Sequence, residues 1–325
     1  KLREETEKRG CQTLSTFLES RFNDTSGLIR IITATIVIFF MACYLAANLI
    51  GIGLVIESIF GISYTTVISV SMLAAMIYSF IGGYYTVAKI DQFQAIFLLL
   101  AIIIVPLTAW MHTQGGVQTI RTVAENNHIP LTLLNDYSFE SIRNIVFLAL
   151  GWGLGYFGQP HIVTKFMGIK CPTELNKAKW VGMTWQILAL SFAGLVGLTG
   201  IGFFNASLSD PQLVFVEMVK ELFNPLLGGV ILCGMIAATL STMDSQIIVS
   251  ASVISEDFWR YFVKKHASDR ELIWVSRISV IVIGLFSIYL AYSKNSTVEN
   301  AVLYAWSGLG CSFGPAIIMA LYDRK

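Results

Sequence analysis

The strongest constraint in this chain is a series of eight apolar stretches, each long enough to cross a bilayer. They fall at about 31–56, 65–88, 91–112, 144–168, 181–204, 225–254, 274–292 and 300–321. A helix needs about 20 residues to traverse the hydrocarbon core. There every backbone N–H and C=O must find a partner within the protein, which a helix supplies by itself. The expected class is therefore an all-α polytopic membrane protein. Composition agrees. Only 13% of residues are charged, against about 25% in soluble domains, too few to cover a large soluble enzyme. A net charge of +1 without a basic stripe excludes a nucleic-acid partner. Cys11, Cys43, Cys171, Cys233 and Cys311 form no CxxC pair, so neither a zinc site nor a disulfide framework is expected. The four histidines do not cluster, and no nucleophile–base pair stands at a plausible depth. No enzyme and no cofactor are expected.

Lysine and arginine set the topology. If residues 1–30 are cytoplasmic and the chain alternates, all of the 22 lysines and arginines except Arg121, Arg143, Lys220 and Lys294 lie inside, a strong positive-inside bias. Both ends are then cytoplasmic. The expected organisation is an amphipathic cytoplasmic loop over 1–30, one transmembrane domain over 31–321 and a cytoplasmic end at 322–325. Gly82-Gly83 and Lys89–Asp91 read as a tight inside turn. The outside segment 113–143 is long and polar, either a solvated loop or a cap over an entrance. The chain starts at Lys1 in a charged stretch and stops just after an apolar run, which reads as an internal piece of a longer protein.

Gly151–His161, sequence GWGLGYFGQPH, interrupts the fourth span. Glycine costs about 1 kcal/mol per residue against alanine in a helix, and an interior proline about 3. Non-helical backbone at membrane depth is tolerated only when buried in protein or lining a cavity. The run is therefore a loop or a broken helix offering bare backbone to a ligand. Trp152, Tyr156 and Pro160 are spaced by four and would align on an intact helix. They serve either as packing or as the walls of a site for a small amphipathic solute. Gln159 lies inside the same run. His161 and Lys165 follow at the inside end, where a satisfied polar pair is expected.

The sixth span carries A-A-T-L-S-T-M-D-S-Q over 237–246. Ser241, Asp244 and Ser245 share one helix face, with Ala238 a turn earlier and Thr242 about 100° round. Hydroxyls and carbonyls suit a small hard cation. They equally suit close helix packing. An ionisable residue at this depth is costly and points to function. Asp91 reads locally as an acid at a helix N-terminus, favoured by the macrodipole.

The run LGWGLGYFGQPHIVTKFM (150–167) resembles the sodium/solute symporter family, and within it the proline-transporting branch. YSFIGGYYTVAKIDQFQA (78–95), IAATLSTMDSQIIVSASVISEDFW (236–259), KKHASDRELIWVSR (264–277) and LYAWSGLGCSFGPA (303–316) agree, and the likeness covers nearly the whole chain. It implies a leucine-transporter-like core of ten helices in two inverted five-helix repeats, of which the eight spans here are core helices three to ten. It implies sodium-coupled secondary active symport of L-proline across the plasma membrane, the bacterial inner membrane, by alternating access. The partners are then sodium, a small solute and the bilayer. Sodium would sit on the Ala238 carbonyl and the Ser241 and Thr242 hydroxyls, its other ligands lying on core helix one. The solute would meet Trp152, Tyr156 and Pro160, with Tyr44 on the first span. Some relatives hold a second sodium at the acid matching Asp91. Here Asp244 stands where those relatives carry a small hydroxyl or thiol. Asp91, Asp244 and Ser245 then form a second cation site, or Asp244 is protonated because two nearby carboxylates in low dielectric do not both ionise easily. Other solutes such as pantothenate or an acidic sugar, and a symporter-like sensor module, are the alternatives. Without core helices one and two, residues 1–325 alone are expected not to transport.

Overall fold

A computed structural model describes residues 1–132, 138–293 and 297–323; the side chains of 81–86 lie outside that description. Among the described residues the chain is helical throughout, with no strand. Two short helices, α1 (Leu2–Lys8) and α2 (Leu14–Arg21), precede α3 (Leu28–Phe60). Then come α4 (Tyr64–His112), α5 (Val117–Asn126), α6 (Phe139–Gly155) and α7 (Pro160–Met167). The second half holds α8 (Leu175–Phe203), α9 (Val214–Leu222), α10 (Pro225–Ser252), α11 (Asp269–Ala291) and α12 (Val298–Tyr322). A π-helix over Val253–Val263 extends α10.

Six of these helical stretches are long and apolar enough to cross a membrane. Two more of the expected spans are present in a different form. One is the 17-residue apolar stretch Tyr64–Phe80. The other is the pair α6 and α7, each too short alone because the span is broken. The expected turn at Lys89–Asp91 is corrected: both residues lie within the helical backbone of α4, as does the backbone of Gly82-Gly83. The reason is local. No proline or loop-forming run separates Val87 from the apolar stretch above it, so the helix that carries Phe97 and Val105 reaches down through Lys89. The two limbs of α4 both lead to the C-terminal end of α3. Tyr64 packs there in one apolar cluster with Leu49 and Ile52, and Val105 and Ala109 pack in another with Val55 and Ile59.

Side-chain caps fix several helix starts. Asn224 accepts from the Leu227 N–H at 3.0 Å to open α10, and Ser268 and Thr297 do the same for α11 and α12. Each such cap is worth about 1 kcal/mol. Between helices the packing is close because lipid offers no hydrophobic drive, so contact area and small residues decide association.

Residues 1–30 form a crossbar rather than a loose loop. Phe17, Leu14 and Leu18 are buried against Val37, Met41 and Phe313. Arg3 Nε donates to Ile169 O at 2.6 Å, just past α7. Thr13 Oγ1 donates to Asp257 Oδ1 at 2.9 Å on the π-helix. Arg21 Nε donates to Ala320 O at 2.6 Å, at the end of α12. Arg30 pairs with Glu19 at 2.5 Å and lies 4.3 Å over the Tyr261 ring.

Candidate functional site

The fourth span breaks where its sequence is richest in glycine. α6 ends at Gly155, a 3₁₀ turn covers Tyr156–Gly158, Gln159 is extended (φ −87°, ψ 106°), and α7 restarts at Pro160. Pro160 occupies the first helical position, where its missing N–H costs nothing. It starts a helix rather than spoiling one. The glycines differ in duty. A Cβ on Gly158 would meet Leu309 O and the Gly310 Cα, each at 2.6 Å, and one on Gly310 would meet the Gly155 Cα at 2.9 Å. Backbone lies on backbone between the break and α12. Gly151 and Gly153 face open space.

An aromatic cluster gathers around this contact. Trp306 of α12 is its hub: its ring centroid is 5.0 Å from Trp152, 4.9 Å from Tyr156 and 6.2 Å from Tyr44. Tyr44 lies edge-on to His161 at 5.6 Å. Gln159 is fully buried; its Nε2 donates to Trp306 O at 3.1 Å and its Oε1 has no partner. Gln186 of α8 donates to the Tyr156 hydroxyl at 2.8 Å. Of the five expected solute residues, Tyr44, Trp152, Tyr156 and Gln159 meet at Trp306, and Pro160 follows Gln159 at the start of α7. Sequence reasoning missed Trp306. Its one signal is that 306–314 repeats the aromatic-and-glycine character of the broken run.

The oxygen-rich face of α10 meets α4. Ser241 Oγ donates to Asp91 Oδ1 in a short hydrogen bond, and Lys165 Nζ pairs with Asp91 Oδ2 at 2.9 Å. Asp91 lies near the start of the Val87–His112 limb of α4, and its side chain pairs with residues of two other helices instead of standing alone at a helix start. Thr242 Oγ1 donates to Ala238 O at 3.3 Å, which sets those two oxygens side by side. Asp244 is 2% exposed and Ser245 6% exposed. Asp244 Oδ1 and Ser245 Oγ have no hydrogen-bond partner. Burying such atoms unpaired costs roughly 1–3 kcal/mol each, more for a charge, and here they flank one another on a single helix. His161, expected to be satisfied, instead has an unpartnered Nδ1 at 7% exposure. Among the described residues no three His, Cys, Asp or Glu side chains converge as a metal cluster.

A cavity of about 550 Å³ lies beside the break, lined by Thr13, Asp91, Pro160, His161, Lys165 and Ser245 among others. It reaches Pro160 from the side of the crossbar, while the aromatic cluster lies beyond its lining.

A bundle of apolar helices of membrane-spanning length, one interrupted beside a polar, oxygen-bearing helix face, is the architecture in which secondary transporters seat solute and ion. The chain belongs to the sodium:solute symporter family, whose model matches residues 1–325. It is 36% identical over 317 residues to an osmoregulated proline transporter of Bacillus subtilis, covering 96% of this chain and 63% of that protein. It is 35% identical over 329 residues to a high-affinity proline transporter of the same organism, covering 100% and 69%. It is also 35% identical over 329 residues to a sodium/proline symporter of Escherichia coli, covering 99% and 65%. The chain therefore spans about two thirds of the length of these relatives. A solved structure, the substrate-bound outward-open state of a Na⁺-coupled sialic acid symporter, superposes with a TM-score of 0.79 at 16% identity, over 99% of this chain and 68% of that one. The shared fold is the leucine-transporter-like inverted-repeat core, as the sequence resemblance implied.

Proposed function

We propose that the protein carries L-proline across the plasma membrane with sodium, by alternating access. What supports this most is one conjunction: relatives at this identity are named proline transporters, and the aromatic residues expected to hold the solute gather around the broken helix. In this reading Trp152, Tyr156, Tyr44 and Pro160, with Trp306, flank the pyrrolidine ring. The N-terminal end of α7 faces the carboxylate with its positive half-dipole. The free Gln159 Oε1 accepts from the ammonium. Sodium sits on Ala238 O and the Ser241 and Thr242 hydroxyls. Its binding favours the state that also binds proline, so each ligand raises the other's affinity by the same factor. Residues 1–30 and both ends of the chain face the cytoplasm. The deciding measurement is proline uptake by proteoliposomes of the complete protein after a sodium jump. Uptake that is indifferent to sodium, or absent, defeats the proposal.

The unpartnered Asp244 Oδ1 and Ser245 Oγ beside Asp91 support a second cation site. Asp244→Ser is then expected to lower the Hill coefficient for sodium and to raise its half-saturation by about tenfold or more, the loss of one contact to a charge. An unchanged Hill coefficient and half-saturation would remove that site.

A further inference from the structure

The cavity on the crossbar side shares Asp91 and Ser245 with the second cation site and adds Lys165 and His161, which the central site does not use. Its lining holds one carboxylate and one ammonium, Asp91 and Lys165, paired at 2.9 Å across α4 and α7. The same lining includes the His161 ring and the Ser245 hydroxyl. His161 Nδ1 and Ser245 Oγ are unpartnered in residues more than nine-tenths buried. Val37, Val87 and Val249 give it apolar walls. At about 550 Å³ it falls within the ordinary range of small-molecule sites, roughly 300–1,000 Å³.

We propose that this cavity is a release subsite for a zwitterionic amino acid, which enters by exchanging into the Asp91–Lys165 pair. The solute's ammonium replaces Lys165 on Asp91, and its carboxylate takes the freed Lys165. One ion pair becomes two, and no charge is left alone. Charge decides the ligand class. A plain anion could reach Lys165 only by stripping Asp91, which is 18% exposed, of its cation, and a largely buried carboxylate without its cation is costly. A plain cation frees Lys165, which at 48% exposure turns to water at little cost. The order of preference is zwitterion, then cation, then anion. Ser245 and His161 offer the hydrogen-bonding atoms that a bound solute completes.

This subsite rests on the symport reading, and the test separates the two. Proline half-saturation is measured on each face of the complete protein, in right-side-out and inside-out vesicles. Lys165→Met is expected to raise it about tenfold on the face bearing the crossbar and to move it less than about twofold on the other. Lys165→Arg restores the wild-type value, which a variant that merely misfolds would not allow. N-acetylproline, an anion of similar shape without an ammonium, fails to inhibit from the crossbar face. Equal shifts on both faces, no shift on either, or inhibition by N-acetylproline as strong as by proline overturns the subsite. Wild-type protein that moves no proline at all overturns the symport reading, and the subsite with it.

Discussion

Alanine at position 158 abolishes most proline uptake, while alanine at position 151 leaves it intact. This is the expected outcome of two substitutions seven residues apart in the same run. The new methyl at 158 meets Leu309 O and the Gly310 Cα, both backbone atoms, at 2.6 Å. No rotamer change relieves that overlap, so α12 and the broken span must separate. Overpacking of this kind costs about 1–3 kcal/mol, and it falls where Trp306, Gln159 and Tyr156 are held. A separation of about 1 Å is enough to cost on the order of a hundredfold in a site that depends on position. At 151 the methyl meets nothing. The exchange there favours helix by up to about 1 kcal/mol. Uptake rates and thermal stability of the two variants, measured together, check the pair. Equal effects would mean that the backbone contact has no special role.

Thr242→Val is the second large effect. The side chain keeps its shape and loses its hydroxyl, which now donates to Ala238 O at 3.3 Å. Ala238 O belongs to an intact helical turn and tolerates the loss. A sodium ion using that hydroxyl does not. Losing one contact to a charge costs about 1.5–3 kcal/mol, so half-saturation for sodium is expected to rise between about 10- and 100-fold. Proline affinity at saturating sodium stays close to wild type, because linkage acts only through the missing ion. Sodium titrations of uptake decide the matter, and an unchanged sodium dependence removes Thr242 from the site.

The spans were legible because hydrophobic length and charge placement are properties of contiguous chain. The break was legible for the same reason: four glycines and a proline within Gly151–His161 contradict the helix around them. What local sequence did not reveal was which glycine matters, since Gly158 and Gly151 differ only in what stands opposite. Trp306 escaped for the same cause. Its partners Trp152 and Tyr156 are remote in the chain, and spacing carries no information across that gap. Asp91 was read locally as an acid near a helix start, and spacing along the chain could not say what it would pair with. Its true partners, Ser241 and Lys165, come from two other helices. The polar face of α10 could be read as a set because helical spacing places Ser241, Asp244 and Ser245 together. That Asp244 Oδ1 and Ser245 Oγ would be left without partners depends on the packing around them.

The crossbar over residues 1–30 has a mechanical consequence. Arg3, Thr13 and Arg21 fasten it to the region just past α7, to the π-helix beyond α10 and to the end of α12. The piece is two short helices joined through residues 9–13, so the three fastenings tie three helix ends to one another. Relative tilting of these helix ends must bend the piece or release at least one fastening. The number of independent motions on that face is thereby smaller than the number of helices that reach it.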